Sequence, residues 1–187
     1  MALWTSINHT DASSTLAIGT SAAASLTEGA GCVALGHEAM YSNSTADKIT
    51  AVGYQAGYYN TSGNNVFVGY NAGLYATSAD SCVFIGPEAG LGISGTKLTG
   101  NNNVAVGRQA GSSFQGSSCQ DNCCIGHASG NVITSGSNNV IIGNDSDPSG
   151  ATAVNQTVVG YNTTGQANNT VTLGNADVTA TYLASGA

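Results

Sequence analysis

The residues of this 187-residue chain able to do the chemistry of a site are five cysteines, three histidines, ten carboxylates and a row of aromatics. Cys119, Cys123 and Cys124 lie close enough in sequence to suggest a metal, or a disulfide between Cys119 and either of the other two. Cys32 and Cys82 sit too far along the chain to complete four tetrahedral ligands with them. An odd number of cysteines without a secretion signal reads as buried free thiols rather than a disulfide framework. His37 and His127 share one position after a recurring glycine, so three copies of either would ring an ion if that position faced a threefold axis. The stretch from Asn144 to Gly150 (NDSDPSG) has the oxygen-rich look of a calcium loop but lacks its distal Glu, and an acidic turn explains it equally well. Tyr41, Tyr58, Tyr59, Tyr75 and Phe114 fall five to seven residues after recurring glycines, where a row of exposed rings would stack on the sugars of a glycan or simply cover neighbouring structure. No Ser sits in a Gly-x-Ser-x-Gly elbow with convincing partners, and the carboxylates are scattered. The chain therefore reads as no enzyme, with no catalytic, cofactor-binding or metal residue to assign and no cofactor implied.

The elements that must position these groups repeat. A short apolar triplet runs into a glycine at Gly19, Gly36, Gly53, Gly69, Gly86, Gly107, Gly126, Gly143, Gly160 and Gly174. The spacings are 17, 17, 16, 17, 21, 19, 17, 17 and 14 residues, the signature of a solenoid in which no coil buries its apolar face alone. Counting from each glycine, positions −3 and −1 are mostly β-branched or aliphatic, as in Val66/Val68 and Val140/Ile142, which is strand chemistry. Position −2 points to the opposite face and is also mostly apolar: Ala17, Ala34, Ala51, Phe67, Phe84, Ala105, Cys124, Ile141 and Val158. A strand apolar on both faces is covered on both faces. One face fills the coil; the cheapest cover for the other is a second copy of the chain.

Position −4 holds Asn65, Asn103, Asn122, Asn139 and Gln156, which predicts a ladder of amides along the rod, with Cys32 and Cys82 packed in the same column. The small residues after the glycine, as in Tyr70-Asn71-Ala72-Gly73, predict a tight turn with positive φ, followed by a second, weaker strand in each coil. The two long spacings place extra residues at Leu91–Gly100 and Ser112–Asp121, which predicts loops projecting from coil corners. The expected organisation is a lead-in over 1–13, the solenoid over 14–176 and a tail over 177–187.

Charged residues make up 7% of the chain against about 25% in ordinary domains, while 41% are hydrophobic. A solenoid explains both, with Val and Ile expected inside and Gly, Asn and Ser at the corners. Net charge is −7, and the basic residues are Lys48, Lys97 and Arg108. No cluster of them exists to grip phosphates, which argues against nucleic acid as a partner, and an anionic membrane would repel the chain. No apolar run approaches the roughly 20 residues of a spanning helix. The first residues lack the pattern of a signal peptide, so the chain is either not exported by the general route or is a piece of a longer protein. Asn-x-Ser/Thr sequons begin at Asn8, Asn43, Asn60, Asn144, Asn155, Asn162 and Asn168, and a composition this rich in Asn, Ser and Thr yields them by chance. Ice or mineral binding would need a regular Thr column, and none exists.

Two runs, Asn65-Val66-Phe67-Val68-Gly69-Tyr70-Asn71-Ala72-Gly73 and Asn103-Val104-Ala105-Val106-Gly107-Arg108-Gln109-Ala110-Gly111, resemble the head repeats of trimeric autotransporter adhesins of the YadA type. The same motif occurs in tail fibres of tailed bacteriophages. The resemblance covers roughly residues 14–176. It implies an all-β, left-handed parallel β-roll (β-solenoid) of about ten short coils, assembled as a homotrimer. Val171-Thr172-Leu173-Gly174-Asn175 and the residues after it resemble the segment that precedes a self-cleaving chaperone in phage fibres; the chaperone's own sequence is absent. The function implied is a structural segment of a viral tail or attachment fibre in the virion, presenting or contributing to host-receptor binding. Its expected partners are itself, other fibre or virion proteins, and a host cell-surface glycan or protein. The alternative is the head of a bacterial trimeric adhesin, at the cell surface, binding host matrix.

Overall fold

The computed structural model describes residues 14–181. The expected lead-in over 1–13 and the end of the tail, residues 182–187, lie outside the described residues. Each repeat supplies one three-residue strand: β1 Leu16–Ile18, β2 Val33–Leu35, β3 Thr50–Val52, β4 Val66–Val68, β5 Val83–Ile85, β6 Val104–Val106, β7 Cys123–Ile125, β8 Val140–Ile142, β9 Thr157–Val159 and β10 Val171–Leu173. They form one parallel sheet in sequence order, each residue paired with its counterpart in the next coil, as in Val66 with Val83 and Phe67 with Phe84. The chain is therefore an all-β parallel solenoid, in phase with the glycine repeat.

The glycine column sets that phase. A Cβ on Gly69, whose φ is 138°, would lie 2.5 Å from the carbonyl oxygen of Gly86. Successive coils touch backbone to backbone at this point, so no side chain fits between them. Two further columns flank the strand with left-handed backbone. Five residues before the glycine stand Lys48 (φ 57°), Asn64 (56°), Asn102 (59°) and Asn138 (60°). Two residues after it stand Glu38 (56°), Gln55 (51°), Asn71 (55°) and Gln109 (59°). Asn tolerates this region better than most residues, which explains its abundance at the corners. The turn glycines Gly57 and Gly73, at φ 60° and 63°, take the tight conformation expected of them.

The interior is lined by the strand's middle position together with three other columns. Ala17, Ala34, Ala51, Phe67, Phe84, Ala105, Cys124, Ile141 and Val158 are all buried. Opposite them lie Ala39, Ala56, Ala72, Ala89 and Ala110, so the coil is thin. Most of the strand Val and Ile are consequently not inside, contrary to expectation, the strand exceptions being Ile141 and Val158 at the middle position. At −3 and −1 they form the outer face of the sheet, where Ile85, Ile125, Val140 and Ile142 are between 37% and 39% exposed. A channel walled largely by alanines has no room for branched side chains at every rung, and three-residue strands send both ends outward.

The amide ladder is present. Asn122 Nδ2 donates to Asn103 Oδ1 at 3.0 Å, and Asn139 Nδ2 to Asn122 Oδ1 at 2.9 Å. Each Oδ1 also accepts the backbone N–H one coil on, through Gln156 N to Asn139 Oδ1 at 3.0 Å. The ladder breaks at Cys82, whose N–H still donates to Asn65 Oδ1 at 2.8 Å. The second strand per coil does not form. Only single parallel bridges occur there, such as Ala76 with Leu98 and Leu98 with Gly116. Left-handed residues four positions after most of the glycines interrupt any longer ladder on that side. Of the two expected loops, residues 93–97 project fully, whereas the loop over 112–121 is pinned inward by Phe114 and Cys119.

Replacing Gly69 by Ala should cost about 3 kcal/mol or more, since both φ and the facing carbonyl oppose it. Gly95→Ala, where a Cβ meets nothing within 4 Å, should change stability by less than about 0.5 kcal/mol. Urea denaturation of both variants checks the pair.

Candidate functional site: the stacked columns of the surface

In-register coils turn each surface position into a line of side chains about 4.8 Å apart. Tyr41 stacks on Tyr58 with ring centroids 4.9 Å apart, and Tyr59 on Tyr75 at 5.5 Å. Tyr58 meets Tyr59 edge-on at 4.5 Å, which joins the two stacks into one corner. Burial beside these rings and the Glu38 carboxylate raises the Tyr58 phenol above its ordinary pKa. Lys97 sits 4.6 Å from the centre of the Tyr59 ring, carried there by the projecting loop, a contact the sequence did not reveal.

Phe114 does not belong to this row. It is wholly buried, tilted against Phe84 at 6.3 Å, which in turn meets Phe67 at 5.7 Å. Tyr41 and Tyr58 stand five residues after their glycines, Tyr59 and Tyr75 six, and Phe114 seven. That last position faces inward in other coils too, as Leu26, Ala76 and Ile133 do. One residue of offset exchanges outside for inside.

A second line runs just after the glycines. His37, Tyr54 and Tyr70 stack at 5.3 and 5.5 Å. Further along, Arg108 Nη1 lies 3.2 Å from His127 Nε2, and His127 Nδ1 lies 2.9 Å from Asn144 Oδ1. His37 and His127 are five coils apart and do not meet within one chain. Sequence alignment put these residues in one column, but not the contacts between them.

The other chemical candidates disperse. All five cysteines are free thiols. Cys123 points to the outer sheet face and Cys124 into the core, as neighbours in a strand must. Burial raises the Cys82 thiol to about 11 and the Cys119 thiol to about 12, and holds Cys124 well above its usual value. Among the described residues no three His, Cys, Asp or Glu side chains converge as a metal site. In the Asn144–Gly150 stretch the oxygens serve neighbouring coils. Ser146 Oγ donates to the Gly160 carbonyl at 2.5 Å, and Asp147 Oδ1 accepts the Val132 N–H at 3.3 Å. Desolvation raises the Asp147 carboxyl above its ordinary value of 3.8 despite the backbone donors beside it. An open concavity of about 430 Å³ at the end of the rod is lined by Asn162, Thr164, Gln166, Thr172 and Asn175, with no charged group. No helix of the described residues is long and apolar enough to cross a membrane.

No family model, curated protein or solved structure matches the chain.

Phe114→Ala should cost about 3–5 kcal/mol, the range for deleting a buried aromatic, while Tyr41→Ala should cost much less; thermal and urea denaturation separate them. At Asp147 the sign follows from a raised folded pKa: its favourable contribution is complete below the unfolded value near 3.8 and is lost as pH rises through the folded one. Asp147→Asn keeps an oxygen for the Val132 N–H without the charge. It should be at least as stable as the parent at neutral pH, and the difference should shrink toward pH 4 in paired denaturation curves.

Proposed function

We propose that the chain is a stiff segment of a viral attachment fibre, a left-handed β-roll that works as a homotrimer and presents, or contributes to, binding of a host receptor. The observation that carries this reading is the outer sheet face. Ten strands at about 4.8 Å, each three residues long, make a strip roughly 43 Å by 10 Å, about 400 Å² in plan. Its twenty outward positions run from Leu16 and Ile18 to Val171 and Leu173 without one charged residue. Contiguous apolar patches of a few hundred Å² are where proteins meet partners. A flat, repetitive surface is best matched by an equally repetitive one, and a second and third copy supply it.

Other fibre or virion proteins would join the rod at its ends. The Tyr41–Tyr58–Tyr59–Tyr75 corner, with Lys97, is the surface best suited to a host glycan or protein, and three such corners per trimer would gain through avidity. Nothing in this role requires catalysis or a cofactor.

Light scattering should give three times 18.5 kDa, or 55.5 kDa, and Val106→Asp, which sets a carboxylate in the shared face of each copy, should give 18.5 kDa with an unchanged fold. Cys123 is an independent reporter, being the one thiol that is not buried. A thiol reagent should spare it in the assembled parent and modify it in Val106→Asp. A parent chain that is folded, monomeric and reactive at Cys123 would overturn the trimeric reading.

A further inference from the structure

Arg108, His127 and Asn144 occupy the same position in three successive coils, immediately after Gly107, Gly126 and Gly143. A guanidinium has donors only, so its 3.2 Å approach to His127 Nε2 requires a lone pair on that nitrogen. The ring proton must then sit on Nδ1, where it donates to Asn144 Oδ1 at 2.9 Å. Asp145 Oδ1 waits 3.3 Å from the same Nδ1. Among the described residues, Arg108 from the coil before and Asp145 from the coil after are the charged groups in contact with the ring.

We propose that this clasp is a pH-operated exchange of partners, and that it regulates the association face beside it; the second half rests on the trimeric reading above. In the neutral state Arg108, His127 and Asn144 tie three coils together. When Nε2 takes a proton from solvent it becomes a donor and faces a guanidinium that has nothing to accept with. The Arg108 contact breaks, and the Asp145 carboxylate, already 3.3 Å from Nδ1, becomes the ring's one charged partner of opposite sign. The column stands two residues beyond Ile125 on the outer sheet face, so the freed Arg108 and the new charge lie along the rim of the strip that copies would share.

Two measurements test it. The first reads the ring by ¹⁵N–¹H correlation NMR. The clasp predicts the Nδ1–H tautomer at neutral pH, and Arg108 side-chain signals that move with the His127 titration. An Nε2–H tautomer, or Arg108 signals indifferent to that titration, would overturn the clasp. The second follows the assembly by light scattering on dilution. With His37, the other imidazole of this column, replaced by Gln in both proteins, acidification should weaken association of the parent by about two- to fivefold per copy, the scale of an exposed ion interaction, and should leave His127→Gln unchanged. Equal weakening in both proteins, or none in the parent, would overturn the regulatory role. A chain monomeric at every pH overturns the trimeric reading instead, and the NMR measurement still decides the clasp.

Discussion

Backbone contact at the glycine column is the constraint on which the rest depends. Gly36 meets Gly53, Gly53 meets Gly69 and Gly69 meets Gly86 through Cα and carbonyl atoms, with no side chain between. This leaves one register for each added coil, because a slip of one residue would drive a Val or Ile into the neighbouring carbonyl. Fixed register then makes every position a continuous line. The amides of Asn103, Asn122 and Asn139 can bond to one another only because their rungs coincide. The same coincidence stacks Tyr41 on Tyr58 and His37 on Tyr54.

Thinness follows from the same contact. Coils that touch at the glycines and turn on alanines enclose a narrow channel, broadest where Phe67, Phe84 and Phe114 tilt against each other and wider again at Met40, Leu98, Ile133 and Ile141. Phe67 and Phe84 enter from the strand, and Phe114 enters from the far side of a coil whose strand carries Ala105. The aromatic volume thus changes walls without doubling at any rung. The branched residues that give the strands their β character are left outside, where they form a flat hydrophobic strip. The fold concentrates its surface chemistry in lines and strips, and pockets play a small part.

The phase, strand positions, amide column and turn glycines were legible because each is a spacing, and spacing survives in a linear text. Which face of the strand points inward was not, since Val66, Phe67 and Val68 are all apolar and hydropathy does not distinguish two apolar faces. Volume held the answer: positions −2 and +3 are rich in Ala, and only small residues can line a narrow channel on both walls. Phe114 was misplaced for a related reason. Positions +5 to +7 read as one aromatic group, although chain direction reverses facing between Tyr59 at +6 and Phe114 at +7. The Lys97–Tyr59 contact and the His127 clasp depend on where loops and rotamers fall, which no periodicity encodes.

The low charge of the chain also follows from stacking. Two like charges 4.8 Å apart repel by about 1 kcal/mol in bulk water and about 3 to 4 kcal/mol at an effective dielectric constant near 20. In a column that penalty recurs at every rung, so charges must be diluted. Among the described residues no column carries carboxylates on successive coils. Glu38 is followed by Gln55, which donates to it at 2.7 Å, and Glu88 by Gln109, which does the same at 2.8 Å. Asn71 falls between these pairs, where a carboxylate would face Glu88 one coil on. Among the described residues, Arg108 and His127 are the one place where two basic side chains occupy adjacent rungs of a column. That pairing rests on the Nε2 lone pair, the acceptor the guanidinium's donors require. A rod that dilutes charge everywhere else sets a guanidinium against an imidazole at this step, where a ring nitrogen can accept what a second cation could not.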